Sequence, residues 1–318
     1  MHAMSYHILH LTTPSCSLYT DRGILFCKYK TGEENMISLA DIKAIIVATH
    51  GVCFTNNCLA KLLENNVVIL HCNRAFQPVG WSVPTEKIIR TKVFYNQISR
   101  NEEFENKLWK KLLRTKAQNQ ASCLDLIGNK EHNLHNLISR PLLSEGNIAR
   151  QYWKHYFDEI GKPMTREHAN AETFENGALN YGYAILNTLV YRSVLTHGLI
   201  AGLGIHHIGK YGSTPLVYDL MEVYRPFIDY YFYQFVQEHE EDYDREIFKE
   251  WIKYVSDCIK NYRIKINDIS YKILDSVDIY IEKIVNAYLK FDCEGIFLPD
   301  LREQYFYKDK QRNREYEE

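Results

Sequence analysis

Residues 85–127 read TEKIIRTKVFYNQISRNEEFENKLWKKLLRTKAQNQASCLDLI, a stretch with neither glycine nor proline. Upstream, short runs rich in Ile, Val, Leu and Tyr (Tyr6 to Leu11, Ile24 to Tyr29, Ala44 to Ala48, Val67 to His71) are punctuated by Gly23, Gly32, Gly51 and Asn65-Asn66. That is the pattern of β-strands and turns. One short helix is expected at Asn57 to Glu64, capped by Asn56 or Asn57. Pro84 separates the two textures. The chain is therefore expected to be α+β, with a small β-rich domain over 1–84 and a larger all-α domain over 85–318.

Helical signals continue downstream. Ile148, Tyr152, Trp153 and Tyr156 recur on one helical face, with Ser144 placed as cap and Glu145 in the first turn, where the helix dipole favours a carboxylate. Leu179 to Leu195 reads as an apolar helix stopped by Gly198. Leu216 to Val236 reads as another, which Pro226 can bend or break. Ile247 to Tyr262 and Tyr271 to Phe291 complete the set, and the charged tail from about Arg302 is expected to be disordered.

The 318 residues include 46% hydrophobic and 25% charged residues, ordinary for a globular protein. No apolar run approaches the roughly 20 residues of a membrane span. The start carries no basic-then-apolar leader, so a cytoplasmic location is expected. Eight scattered cysteines form no Cys-x-x-Cys pair, which speaks for packed thiols rather than structural zinc. The net charge is −2, but charge is polarised. Residues 85–116 carry nine Lys/Arg against four acids, and residues 237–250 carry seven acids against two bases. Within the basic stretch, Lys87, Arg90, Lys110, Lys111 and Arg114 suit a phosphate backbone, while a solvated helix face explains the same pattern.

Chemistry concentrates at Gly204-Ile205-His206-His207, followed by Asp219 and Glu222. An imidazole and two carboxylates near one another suit Mg²⁺ or Mn²⁺. Asp219 and Glu222 are three apart, on one helical face, where two acids repel and a cation relieves them. Alternatively, Arg225 pairs with Glu222 at the same spacing on a solvated edge. Of His206 and His207, only one can face the acids. Glu145 matters only if the fold brings it in. The chain lacks a dinucleotide-binding glycine fingerprint, a P-loop and a Gly-x-Ser-x-Gly elbow.

Four segments, taken in order, resemble one family. They are Ser144-Glu145-Gly146-Asn147-Ile148-Ala149-Arg150-Gln151-Tyr152-Trp153, then Ala178 to Leu186, then Gly198-Leu199 to Leu203-Gly204-Ile205-His206-His207, then Tyr218-Asp219-Leu220-Met221-Glu222-Val223-Tyr224-Arg225-Pro226. They look like the CRISPR-associated spacer-acquisition integrases, over about Ser17 to Asp229. The Gly-Ile-His-His form and Glu222 look most like the branch of type II systems. Met164 to Asn170 departs from the family's arginine-containing pattern. The resemblance implies Glu145, His207 and Glu222 as ligands of Mg²⁺ or Mn²⁺, Asp219 as a supporting acid, and Lys210 near DNA. It also implies transesterification by a DNA 3′-hydroxyl at a CRISPR repeat, a homodimer made by the β domain, double-stranded DNA held by the helical domain, and the second CRISPR-associated protein as bridging partner. Competing readings are a generic metal-dependent nuclease, a tyrosine recombinase suggested faintly by His207-Ile208-Gly209-Lys210, and a non-catalytic DNA-binding scaffold.

Overall fold

The computed structural model describes residues 7–74, 76–85, 91–167, 171–207, 213–239, 245–266 and 268–306. The chain opens with two four-stranded sheets. The first contains β1 (His7–Leu11), β5 (Ile42–Val47), β7 (Val68–Cys72) and β8 (Pro78–Ser82), in the order β1-β5-β7-β8. Its first three strands are parallel, with Leu9 opposite Ile45 and Ile45 opposite Ile69, and β8 returns antiparallel. The second contains β2 (Cys16–Asp21), β3 (Ile24–Tyr29), β4 (Glu34–Ser38) and the two-residue β6 (Cys53–Phe54), in the order β4-β3-β2-β6.

β5 is buried along its whole length, and from Ala44 to Val47 the period-two alternation of a strand divides its side chains between two cores. Ile45 and Val47 join Leu18, Leu25, Leu62 and Ile69 in a core with the second sheet and α1 (Asn56–Glu64). Ala44 and Ile46 instead join the large core built by the helices. This is why the strand reads as a continuous apolar run. The cap of α1 is Thr55, whose hydroxyl accepts from the Cys58 N–H, rather than Asn56 or Asn57.

The helical region contains α2 (Thr91–Ile98), α3 (Glu102–Leu126), α4 (Leu134–Ile138), α5 (Glu145–Glu159), α6 (Phe174–Thr196), α7 (Pro215–Met221), α8 (Arg225–Glu238), α9 (Arg245–Asn261) and α10 (Ile273–Lys290). Asn101 caps α3 by accepting from the Phe104 N–H, and three acids occupy its first turn. α6 is buried nearly all round, in keeping with its strongly apolar character. Gly182 lets α8 pack tightly against α6: a Cβ there would lie 2.5 Å from Ile228 Cγ2. Lys43 of β5 is buried between Asp275 (2.7 Å) and Asp278 (2.9 Å) of α10, and Trp81 Nε1 donates to Thr188 of α6.

The region is mostly, not wholly, helical. Tyr262 ends the expected helix one residue early, and β9 (Tyr262–Ile266), β10 (Ile269–Lys272) and β11 (Gln304–Phe306) form a three-stranded sheet in the order β10-β9-β11. The expected helix over Leu216 to Val236 is broken in the middle. A 3₁₀ turn, Glu222–Tyr224, separates α7 from α8, and Pro226 sits in the first turn of α8, where its missing N–H costs nothing.

Candidate active site

Glu145 is the first residue of α5, and Ser144 holds the N-cap position, although its hydroxyl makes no capping hydrogen bond. Lys116 reaches toward Glu145 from the middle of α3, its Nζ 2.9 Å from Glu145 Oε1. The same ammonium lies 2.7 Å from Glu222 Oε2 in the 3₁₀ turn. Buried Asn119, one turn from Lys116's level on α3, fixes this turn by donating to the carbonyls of Val223 (2.8 Å) and Pro299 (2.9 Å).

His207 follows the Gly202–Gly204 bend and is held by Asp219. The fully buried Asp219 carboxylate accepts from the backbone N–H groups of Ile205 (2.6 Å), His206 (3.0 Å) and His207 (3.3 Å). It also accepts from His207 Nδ1 at 2.5 Å. A carboxylate oxygen that accepts from Nδ1 selects, for the neutral imidazole, the tautomer with its proton on Nδ1 and its lone pair on Nε2. Glycine at 204 is a steric necessity. A Cβ there would stand 2.7 Å from the His207 carbonyl and 3.2 Å from Asp219 Oδ2. Arg100 steadies the bend by donating to the Gly204 carbonyl at 2.8 Å. His206 turns away and stacks on Trp109, ring centroids 4.4 Å apart and planes nearly parallel.

Glu145, His207, Glu222 and Lys116 all line one cavity of about 530 Å³, together with Gln120, Asn187, Arg225 and Asp229. Burial works against the Glu222 carboxylate, but Arg225 (3.3 Å) and Lys116 outweigh it and hold its pKa below the ordinary value. Burial likewise disfavours the Lys116 charge, yet Glu222 and Glu145 hold its pKa above normal. Asp219 and Glu222, expected to share a cation, face different partners. Three backbone N–H groups claim the first, and the 3₁₀ turn carries the second toward α3 and α5.

This cavity fits a hard cation. A cationic ammonium already occupies the space between the two glutamates. Three buried acceptors on its wall, Glu222 Oε2, Gln120 Oε1 and Asn187 Oδ1, have no hydrogen-bond donor. Carboxylate and amide oxygens with one imidazole nitrogen form the donor set that Mg²⁺ and Mn²⁺ accept. Among the described residues, the trio whose ligating atoms already lie within 4.8 Å of one another is elsewhere: Asp125, His132 and His135. There Asp125 accepts from both Nε2 atoms (2.9 and 3.0 Å), and the Leu134 N–H donates to His132 Nδ1, so the trio satisfies itself as a clamp between α3 and α4.

Of the basic candidates, Lys110 is exposed on α3. Lys111 instead donates to the Cys293 carbonyl (2.8 Å), just past the end of α10, and Arg114 to the carbonyl of Ile138 (2.6 Å), the last residue of α4. Lys87, Arg90 and Lys210 lie outside the described residues. Charge counting had assigned Lys116 only to a basic stripe, and nothing in its local sequence separates it from Lys110 or Lys111. Asp229 also escaped notice. It is fully buried on the cavity wall and accepts from the hydroxyls of Tyr152 (2.7 Å) and Tyr183, and burial pushes its pKa up to about 6 against those hydrogen bonds and the Arg166 and Arg225 charges. Arg166 sits over the rings of Trp153 and Tyr183 (5.4 and 5.3 Å), and Arg225 over Tyr183 (5.1 Å).

Comparison with known proteins identifies the family and the fold. The profile of the family "CRISPR associated protein Cas1" matches residues 9–250. A CRISPR-associated endonuclease Cas1 of Neisseria meningitidis serogroup C is 31% identical over 205 residues, a match spanning 63% of this chain and 66% of that protein. Two solved structures share the fold at 17% identity. A casposase bound to integration product has a TM-score of 0.79, covering 96% of this chain and 97% of its own. A chain of a Cas6-RT-Cas1–Cas2 complex has a TM-score of 0.74, covering 93% of this chain and 36% of its own. No helix among the described residues is long and apolar enough to cross a membrane. The family match over about three quarters of the residues places this chain in the Cas1 family of CRISPR-associated proteins.

Proposed function

We propose that this protein is a metal-dependent DNA integrase and endonuclease of CRISPR adaptation, which inserts short DNA fragments into a CRISPR array by 3′-hydroxyl transesterification. The observation that carries this reading is the convergence of Glu145, His207 and Glu222, from three separated segments, on one cavity already organised around a cation. The names of relatives support it: one is called an endonuclease, one structure holds an integration product, and one is a complex with Cas2.

Glu145, His207 and Glu222 would hold Mg²⁺ or Mn²⁺, which when bound supplies Lewis-acid stabilisation of charge on the phosphoryl oxygens. The chain's own groups do the rest. Asp219 fixes the His207 ring and, in the neutral imidazole, the tautomer that presents Nε2 as the ligating atom, the usual role of a carboxylate behind a ligating imidazole. Arg225 sustains the buried charge of Glu222. Exposed Lys110, with Lys87, Arg90 and Lys210, is assigned to the DNA backbone, Lys111 and Arg114 more weakly because they already serve backbone carbonyls. The protein acts on double-stranded DNA as a homodimer bridged by a Cas2-type partner.

The test is strand transfer of a labelled duplex into a supercoiled plasmid carrying a CRISPR repeat, with Mn²⁺ or Mg²⁺ and the cognate Cas2-type partner. Joined product that needs the ion and vanishes in His207→Ala is the expected result. Cleavage without joining would replace the integrase by a nuclease. DNA binding with neither reaction, beside an active partner, would reduce the chain to a scaffold.

A further inference from the structure

Lys116 sits where an ion shared by Glu145 and Glu222 must sit. Its ammonium touches one oxygen of each (2.9 and 2.7 Å), and its side chain is only 12% exposed. A carboxylate–magnesium bond is about 2.0–2.1 Å long, so a divalent ion bound to both oxygens would lie within a few ångströms of the ammonium. Two cations that close in a buried pocket repel strongly. One of them has to leave.

The geometry also shows why the ammonium can leave. It hydrogen-bonds to Glu145, but its approach to Glu222 Oε2 is an ion-pair contact without hydrogen-bond alignment, and that oxygen has no other donor. The lysine stem is long and flexible, and its charge is a point charge that needs no fixed plane. Gln120 is four residues along α3, on the same helical face, and its buried Oε1 lacks a donor. Asn187 Oδ1, from α6, is in the same condition on the same cavity wall. Unpaired buried acceptors are costly and rare. Here two stand beside a cation that has to be displaced.

We propose that Lys116 is an exchangeable counter-cation: it holds Glu145 and Glu222 together while no divalent ion is bound, and entry of the ion moves its ammonium to the carbonyl oxygens of Gln120 and Asn187. Lys116 is thus a positioning residue, which keeps the two glutamates paired without an ion and sets a competition that every ion must win. The inference rests on the metal reading proposed above.

Two observables other than catalysis test it, both without DNA: the Mn²⁺ dissociation constant by calorimetry, and the melting temperature in chelator and in Mn²⁺. Lys116→Met and Lys116→Gln should melt lower than wild type in chelator, bind Mn²⁺ about tenfold more tightly or better, and gain more from Mn²⁺ on melting. Gln120→Leu, which keeps the lysine but removes one of its two destinations, should melt no lower in chelator and bind Mn²⁺ several-fold more weakly. If wild type binds Mn²⁺ in a manner lost with Glu222→Gln, while both Lys116 variants bind no more tightly than wild type, the exchange is wrong and the metal site stands. If Lys116→Met does not fold, Lys116→Gln and Gln120→Leu decide the matter. If wild-type binding is absent or indifferent to Glu222→Gln, the metal reading falls and this inference falls with it.

Discussion

Asp219→Asn is the substitution that discriminates best between a held and an unheld His207. The carboxylate has four acceptor contacts, two on each oxygen: Ile205 and His206 N–H on Oδ2, His207 N–H and Nδ1 on Oδ1. An amide has one acceptor end. With its NH₂ at the Oδ2 position it would face two backbone donors, so it should settle with NH₂ at the Oδ1 position. There it loses the 3.3 Å contact to the His207 N–H. The remaining acceptor contacts fall from charged to neutral hydrogen bonds, roughly 1 kcal/mol each. The sum is roughly 2–4 kcal/mol of stability, or roughly 3–6 °C in melting temperature for a chain of this size. The chemical consequence is more specific. The new Nδ2–H donates to His207 Nδ1, which moves the ring's proton to Nε2 and blocks the atom that would meet the ion. Affinity for Mn²⁺ should fall about 10–100-fold although residue 219 touches no ion. Calorimetry of Mn²⁺ binding and a melting curve on the same preparation check both numbers. A variant that melts within about 1 °C of wild type and binds Mn²⁺ equally well would refute the reasoning.

Two further outcomes follow from other buried charges. Asp229 titrates near 6 in the folded chain against an ordinary 3.8, so the folded form binds a proton that the unfolded form releases between those values. Its stabilising contribution is therefore present below about pH 4 and lost as pH rises through 6, about 3 kcal/mol in all. The stability difference between wild type and Asp229→Asn should fall across that window and stay flat above it, and denaturant titrations showing no change from pH 4 to 7 would be inconsistent with a buried, desolvated Asp229. Lys43→Met leaves Asp275 without its cation and Asp278 with Arg192 alone, and should cost about 3 kcal/mol. Burial raises the Asp278 pKa, but Lys43 and then Arg192 hold it below normal, so the Asp278 share of the loss should be present at neutral pH and fade as the pH drops below the ordinary carboxylate range. Equal losses at pH 3 and 7 would mean that packing, not charge, sets the cost.

Much of the local structure was readable because it depends on local chemistry. α6 shows as a strongly apolar helix ended by Gly198, whose φ of +76° suits glycine, and α5 begins where Glu145 meets the helix dipole. β2, β4 and β8 were less visible. β4 is largely exposed and β8 begins with a proline, so neither carries a core signal. The β9–β10 hairpin hid between two helices because Tyr262 to Lys272 is short and its turn rests on Asp268 at φ +63°. The break between α7 and α8 was half legible: Pro226 announced it, while the 3₁₀ turn that aims Glu222 depends on Asn119 from another helix.

By itself the sequence determined the elements with strong period, the glycine bend before His207, and the ordered motifs that mark the family. Those are properties of neighbours in the chain. Only the tertiary structure decided which charges meet. Nine basic residues in 85–116 look alike in a string. Packing of α3 against α5 and the 3₁₀ turn submerges Lys116 between two glutamates, while Lys110 stays at the surface. Asp219 and Glu222 looked like one pair, yet backbone N–H groups, which no composition reveals, took the first, and a change of helical pitch sent the second to another partner. A charge in a low-dielectric cavity is governed by whatever lies within a few ångströms, and that neighbourhood is assembled from segments far apart in the chain.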